Sequence, residues 1–288
     1  MDRLRSECVR CILEKQMASC PQDVPEAQKL HYLQRMLCIV GQAPATLSAP
    51  LLLRDISRLR DEMFGHVDEF GPIKRHFNQV MLDQLPRAEQ EIGRARDPLP
   101  EALRLALAGN YIDFGAMKDV SEERLRQMLA APIPLDAGTV QRFRRDLGQA
   151  EHLLFLTDNC GEVVMDKLLI RVIRQLWPRL EVTVMVRGGP VLNDATWEDA
   201  RQVGLEEVAR VIDSGTALAG TCAEELTGPA LEAWQQADVV LAKGQGNFET
   251  LRGCGRNVYY LFLCKCRMFA DAFGVQPLTG MFLNDDSL

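Results

Sequence analysis

Long apolar runs are missing from this sequence. No stretch approaches the ~20 residues that cross a bilayer, and the start, Met1-Asp2-Arg3-Leu4-Arg5-Ser6-Glu7, lacks the apolar centre of a secretory signal. The expectation is a cytoplasmic protein with no membrane partner. Positive charge is also in short supply: 33 Lys and Arg against 40 Asp and Glu leave a net charge of -7, which argues against a nucleic-acid partner. A small anion is still compatible with that balance, because a local metal ion or lysine overrides the global charge. Histidine is scarce. His31, His66, His76 and His152 show neither metal-ligand spacing nor a neighbouring nucleophile, so they read as solvated or core side chains. No internal repeat, low-complexity tract or flexible linker is visible, and nothing fixes an oligomeric state.

Cysteine is present but its pattern is incomplete. Nine is an odd number, the chain is large, and Cys160, Cys254, Cys264 and Cys266 fall within or beside apolar segments, so reduced thiols are expected. Cys8-x-x-Cys11 has the spacing of half a zinc site or of a redox pair, yet no second pair with that spacing exists. Cys264-x-Cys266 would complete four thiolates if the fold brought them together; two helical thiols and two core residues are the more economical reading.

What is present is enough apolar material for a large core: 47% of 288 residues are hydrophobic. Up to residue 150 the spacing is helical, as in Leu30, Leu33, Met36, Leu37 and Val40, or Leu99, Leu103, Leu105, Ala106 and Leu107. Proline and glycine punctuation divides this part into five or six helices, with Ser121 as one N-cap. From residue 151 the texture changes to short apolar runs at 153–157, 182–186, 208–212, 238–242 and 258–263, with helical segments between them. Strands alternating with helices imply a parallel α/β sheet. The expected organisation is a helical region over 1–150, packed on the site, and a Rossmann-like, three-layer catalytic domain over 151–288.

Polar clusters follow these strands. Asp158-Asn159-Cys160-Gly161-Glu162 follows the first, Arg187 to Asp194 the second, Lys243-Gly244-Gln245-Gly246-Asn247 the fourth, and the fifth ends at Cys264-Lys265-Cys266. In a parallel sheet these segments meet at one edge, where ligands bind. Two carboxylates and an amide with no histidine nearby form a hard oxygen set that suits Mg²⁺ or Mn²⁺. The proposed ligands are Asp158, Asn159 and Asp194, with Lys243 as a charge for phosphate and Gly244 admitting backbone N–H groups. Each cluster also has a plainer reading: Asp158-Asn159 as an Asx turn or helix cap, Asp194-Ala195-Thr196 as a cap for the helix that follows, and Lys243-Gly244-Gln245-Gly246 as a tight turn. The last lacks the third glycine of a dinucleotide fingerprint. Gly109-Asn110-Tyr111-Ile112-Asp113 is read either as a helix cap or as a segment giving hydroxyl contacts from Asn110 and Asp113.

Taken together, Thr157-Asp158-Asn159-x-Gly161-Glu162 with Asp166, Arg187-Gly188-x-Pro190-x-x-Asn193-Asp194, Lys243-Gly244-Gln245-Gly246-Asn247-Phe248-Glu249 and Gly109-Asn110-x-x-Asp113 resemble the metal-dependent damage-control phosphatases, formerly domain-of-unknown-function family eighty-nine. Cys8-x-x-Cys11 resembles the N-terminal motif of the stand-alone prokaryotic subfamily. The resemblance implies hydrolysis of small phosphate monoesters, sugar phosphates or damaged phosphometabolites, with a divalent metal (Mn²⁺, Mg²⁺, Ni²⁺ or Co²⁺) on Asp158, Asn159 and Asp194. It implies catalytic roles for Asp158, Asp194 and Lys243, with Lys243 on the phosphate. Substrate contacts are assigned to Asn110, Asp113, Arg187, Asn193, Gly244, Asn247 and Glu249. Cys160 stands where the family more often has a small residue such as Ala. The alternatives are an adenosylmethionine-dependent carboxyl methyltransferase, disfavoured because Arg187 stands where an acidic ribose ligand is wanted, and a non-catalytic phospholigand-binding protein.

Overall fold

The computed structural model describes residues 4–21, 23–65, 70–115 and 120–288, which places His66 outside the described residues. The chain forms two compact units, Met1–Glu69 and Phe70–Leu288. The first holds α1 (Ser6–Ala18), α2 (Glu26–Gln42) and α3 (Ala49–Phe64). Its core is Ile12, Tyr32, Met36, Leu52, Ile56 and Leu59, and the Tyr32 hydroxyl donates to the buried Gln16 side chain at 2.6 Å. The inward face of α2 therefore runs through Tyr32 and Met36. Leu30 and Leu37 of the expected stripe are each 53% exposed.

The second unit begins with α4 (Gly71–Arg94), α5 (Pro98–Gly109), α6 (Glu122–Ala130) and α7 (Ala137–Leu147). Ser121 caps α6 as expected, its hydroxyl accepting from Arg124 N–H at 3.2 Å. There follow β1 (His152–Leu156), α8 (Glu162–Leu176), β2 (Glu181–Val186), α9 (Trp197–Gln202), β3 (Arg210–Asp213), α10 (Gly228–Gln236), β4 (Val239–Lys243), α11 (Gly244–Leu251), β5 (Val258–Cys264), α12 (Arg267–Phe273) and β6 (Thr279–Asn284). The sheet order is β3-β2-β1-β4-β5-β6. The first five strands are parallel, and β6 runs antiparallel to β5.

Side chains alternate across the strands, and each face has its own helices. Leu153, Phe155, Val184, Leu241, Tyr259 and Leu261 pack with Met81, Leu103, Leu107, Phe143 and Ile170 of α4, α5, α7 and α8. Leu154, Leu156, Val240, Tyr260 and Phe262 face Ala230, Trp234, Phe248 and Phe269 of α10, α11 and α12. Burial on both faces is why these strands read as continuous apolar runs. The change at residue 150 is thus one of secondary structure only. The compact division lies at 69/70, because α4 to α7 bury their apolar faces in the same core as the sheet.

The sixth strand was not expected. Its interior glycine disguises it, since glycine weakens a strand pattern. A Cβ at Gly280 would stand 2.5 Å from Ile133 Cγ2 and from Leu107 Cδ2, so the close approach of β6 to the helical layer requires the residue that hides the strand.

Phe155 lies on β1 between β2 and β4 and is fully buried. Phe155→Ala is expected to destabilise the fold by about 3–5 kcal/mol, measured as a lower urea midpoint with an unchanged slope.

Candidate active site

Thr157 continues the β1 ladder, its N–H donating to Met185 O at 3.1 Å. The chain then meets the loop that follows β2. Ala195 N–H donates to Asp158 O at 2.7 Å and Cys160 N–H to Asn193 O at 2.8 Å, flanking an antiparallel bridge between Asn159 and Asp194. Two loops remote in sequence are stitched together, and Asp158, Asn159 and Asp194 come from adjoining backbone. The reversal of strand order between β1 and β4 falls at the same place, the position of the ligand crevice in doubly wound sheets.

Both carboxylates are buried, and the guanidinium of Arg187 lies between them. Its Nε donates to Asp194 Oδ2 at 2.7 Å and its Nη2 to Asp158 Oδ1 at 3.4 Å, while Nη1 donates to Gly220 O at 2.8 Å. Burial, then the charges of Asp194 and Glu162, push Asp158 well above the usual carboxylate range; Arg187 and Lys265 oppose the rise. Burial also lifts Asp194 to about 6 against the pull of Arg187.

The plainer reading of these turns is correct for Thr196 and for Asn110, the C-cap of α5, whose N–H donates to Leu107 O at 3.1 Å. Thr196 and Asp199 form a capping box on α9, with Thr196 N–H donating to Asp199 Oδ2 at 2.8 Å. Asp158 caps no helix: α8 is capped at Gly161, and the hydrogen bonds to the Asp158 carboxylate come from side chains, Asn110, Asn159 and Arg187. The Asn159 carboxamide donates through Nδ2 to Asp158 Oδ2 at 2.7 Å and to Glu162 Oε2 at 3.1 Å. Carboxylates accept only, so the amide nitrogen is fixed and Oδ1 is turned the other way. Carboxylate and carboxamide oxygens of this kind are the donors that hard divalent cations prefer.

Lys243 departs from the expected role. An ammonium has three donors, and all three are engaged inside the protein: with Glu162 Oε1 at 2.5 Å, Asp166 Oδ1 at 2.6 Å and Ala106 O at 3.1 Å. Its side chain is fully buried, and it offers no contact to a phosphate at the edge. Burial works against its charge, but Asp166 and Glu162 outweigh that and hold its pKa above the usual lysine value.

Several residues assigned to substrate make hydrogen bonds within the protein. Asn110 is fully buried; its Nδ2 donates to Asp158 Oδ2 at 3.1 Å and Glu162 Oε2 at 2.8 Å, and its Oδ1 accepts from Leu263 N–H at 2.9 Å. Asn193 pins the segment after α5, donating to Ile112 O at 3.0 Å and accepting from Phe114 N–H at 3.1 Å. Asn247 donates to Lys243 O at 2.7 Å and accepts the Thr221 hydroxyl at 2.8 Å. Arg187 is engaged as described. Glu249 accepts from Gln245 at 2.8 Å on the partly exposed side of α11. Gly244 does have a site role, though a steric one. It sits at φ +81°, and a Cβ there would stand 2.0 Å from the Asp158 carboxyl carbon.

Lys265, at the end of β5, received no role from the sequence. Its ammonium donates to Asp113 Oδ2 at 2.7 Å, and its charge reaches Asp158. Gln245 Oε1 accepts from the N–H groups of Lys265 and Cys266, each at 3.2 Å, which ties this strand end to the start of α11. The available signal was its place after a parallel strand, at the edge already marked by Asp158. Cys160 is buried, and burial pushes its thiol up to about 12, which disfavours the thiolate that a cysteine nucleophile requires. None of the nine cysteines, all among the described residues, forms a disulfide, and no three His, Cys, Asp or Glu side chains among the described residues assemble around Cys8 and Cys11. His31 and His76 are exposed, and His152 begins β1 at the opposite edge. A cleft of about 590 Å³ also opens at that amino edge, lined by His152, Arg174, Arg179 and Arg210 among others. The carboxylates of Glu181, Glu206 and Glu207 share its walls, so it presents no surplus charge.

A damage-control phosphatase ARMT1-like domain matches residues 4–278. A damage-control phosphatase of Pyrococcus horikoshii is 38% identical over 168 residues, which are 57% of this chain and 58% of that protein. One of Archaeoglobus fulgidus is 31% identical over 219 residues, 74% of this chain and 75% of that one. The crystal structure of a DUF89 family protein from Pyrococcus horikoshii has the same fold, with a TM-score of 0.81, 26% identity and 99% of each chain covered.

Two outcomes test this geometry. Gly244→Ala is expected to lose at least about 1 kcal/mol from the positive φ alone and to displace the Asp158 carboxylate, seen as a lower melting temperature and a shifted side chain in a crystal structure. The folded pKa of Asp194, about 6, lies above the ~3.9 of an unfolded aspartate. Asp194 therefore contributes stability at low pH that is lost as pH rises through about 6. Urea titrations of wild type and Asp194→Asn are expected to shift in favour of the variant between about pH 4 and pH 6; a difference independent of pH overturns the assignment.

Proposed function

This chain belongs to the damage-control phosphatase ARMT1-like family, and on that ground we propose that it is a metal-dependent hydrolase of small phosphate monoesters, of the sugar-phosphate or damaged-metabolite class. The observation that carries the reading is the backbone stitch that joins Asp158, Asn159 and Asp194 at the strand-order reversal. In this reading those three residues hold a divalent cation such as Mn²⁺, Mg²⁺, Ni²⁺ or Co²⁺. When bound, such a cation acts as a Lewis acid on a phosphoryl oxygen.

The chain's own contribution is placement. Arg187 keeps the two carboxylates apart from each other and facing one edge. Lys265 and the first N–H groups of α11 stand at that edge as donors for phosphoryl oxygens, the use to which helix N-termini are commonly put. In this scheme Asp158 is committed to the cation together with the neighbouring Asp194 carboxylate, so water is the nucleophile. The methyltransferase alternative gains nothing, because Arg187 at the end of β2 is engaged by Asp194, Asp158 and Gly220.

Asp158→Ala and Asp194→Ala are each expected to lower phosphate release from a mixed panel of sugar phosphates by more than the ~100-fold that loss of a supporting residue costs, and to abolish the thermal shift caused by Mn²⁺. Protons compete with the metal for raised carboxylates, so Mn²⁺ affinity is expected to fall as pH drops below about 6, where Asp194 protonates. Wild-type turnover in either variant would sink the proposal.

A further inference from the structure

Glu162 is the first residue of α8 and is entirely buried. Its Oε2 accepts from Asn110 Nδ2 at 2.8 Å, Asn159 Nδ2 at 3.1 Å and Asn159 N–H at 3.4 Å. Its Oε1 accepts from Lys243 at 2.5 Å. Both oxygens therefore face donors only. Lys243 in turn is held by Asp166 and by Ala106 O, and Asp166 Oδ2 has no partner. A buried carboxylate of this kind is stable only with a counter-charge, which Lys243 supplies.

We infer that Glu162 is a positioning residue that clamps the Asn159 carboxamide with its oxygen toward the cation, and that Lys243 acts through Glu162 rather than on the substrate's phosphate. The inference rests on the proposal that Asp158, Asn159 and Asp194 hold a divalent cation. An amide side chain can present either end to a metal, and only the oxygen ligates. The two carboxylates that receive Nδ2 remove the choice. Asp158 alone would leave the amide free to swing about one hydrogen bond, and Glu162 supplies the second. Asn110 braces Asp158 and Glu162 at once, so the clamp and the ligand move as one body. Residues that orient ligands in this way commonly govern metal affinity.

Glu162→Gln keeps the shape and breaks the logic, since whichever end of the new amide carries nitrogen faces donors. The test is the Mn²⁺ dissociation constant by calorimetry on substrate-free protein, with folding checked by circular dichroism. Glu162→Gln is expected to raise it by ~10–100-fold, while KM for a sugar phosphate at saturating Mn²⁺ stays within about twofold of wild type, because neither Glu162 nor Lys243 touches substrate. Lys243→Met is expected to weaken Mn²⁺ binding likewise. If that variant fails to fold, the triple variant Glu162→Gln, Asp166→Asn and Lys243→Met removes all three buried charges together, a change that buried ion pairs often tolerate, and should still show the weakened binding. A folded Glu162→Gln or triple variant with wild-type Mn²⁺ affinity overturns the inference, as does a Lys243→Met protein that binds Mn²⁺ normally but has lost inorganic phosphate binding. Failure of the wild-type protein to bind any divalent cation would instead overturn the proposed function.

Discussion

The guanidinium of Arg187, buried between Asp158 and Asp194, is the interaction on which the carboxyl edge of the sheet depends. Two desolvated carboxylates on adjoining backbone repel each other, and burial already drives both toward the protonated form. A planar, permanently charged fork meets both at once and still reaches Gly220 O. The second loop is fastened by the same residue, whose N–H donates to Ala195 O at 2.9 Å. A single side chain thus fixes both the charge balance and the loop geometry. A lysine there would supply charge without the fork.

Behind this edge lies a second, dry layer of charge. Lys243, Glu162 and Asp166 are wholly buried, and their hydrogen bonds run from the carbonyl of Ala106 in α5 through Glu162 to the amide of Asn159. Such groups are costly to bury, and replacing a buried pair with apolar side chains is often neutral or stabilising. Their presence beside the site is accounted for by orientation rather than stability: the network couples α5, α8 and the ends of β1 and β4. Gly244 fits the same pattern, giving up a side chain so that the Asp158 carboxylate can occupy its place.

Much of the fold was legible because its strands are short, apolar and buried on both faces, and because proline, glycine and serine mark the helix ends. The five parallel strands and the edge at which their polar clusters meet follow from that pattern. β6 was not legible, since Gly280 and a short span conceal it, and the compact division at 69/70 was not, since helical spacing continues across it. Within the site, Asp158, Asn159 and Asp194 stood out as polar residues after strands, and the structure brings them together. Lys243, Asn193 and Asn247 looked identical by that criterion and turned inward.

What the sequence determined by itself was the five parallel strands, the edge and the family, because apolar runs, their length and residue type are local properties that survive in one dimension. Only the tertiary structure decided which polar side chains face the edge and which face each other. A lysine after a strand has the same sequence signature whether its ammonium meets solvent or two carboxylates. The difference lies in Glu162 and Asp166, one turn apart on α8, and in the packing of α5 over them, which leaves the Lys243 ammonium no route outward.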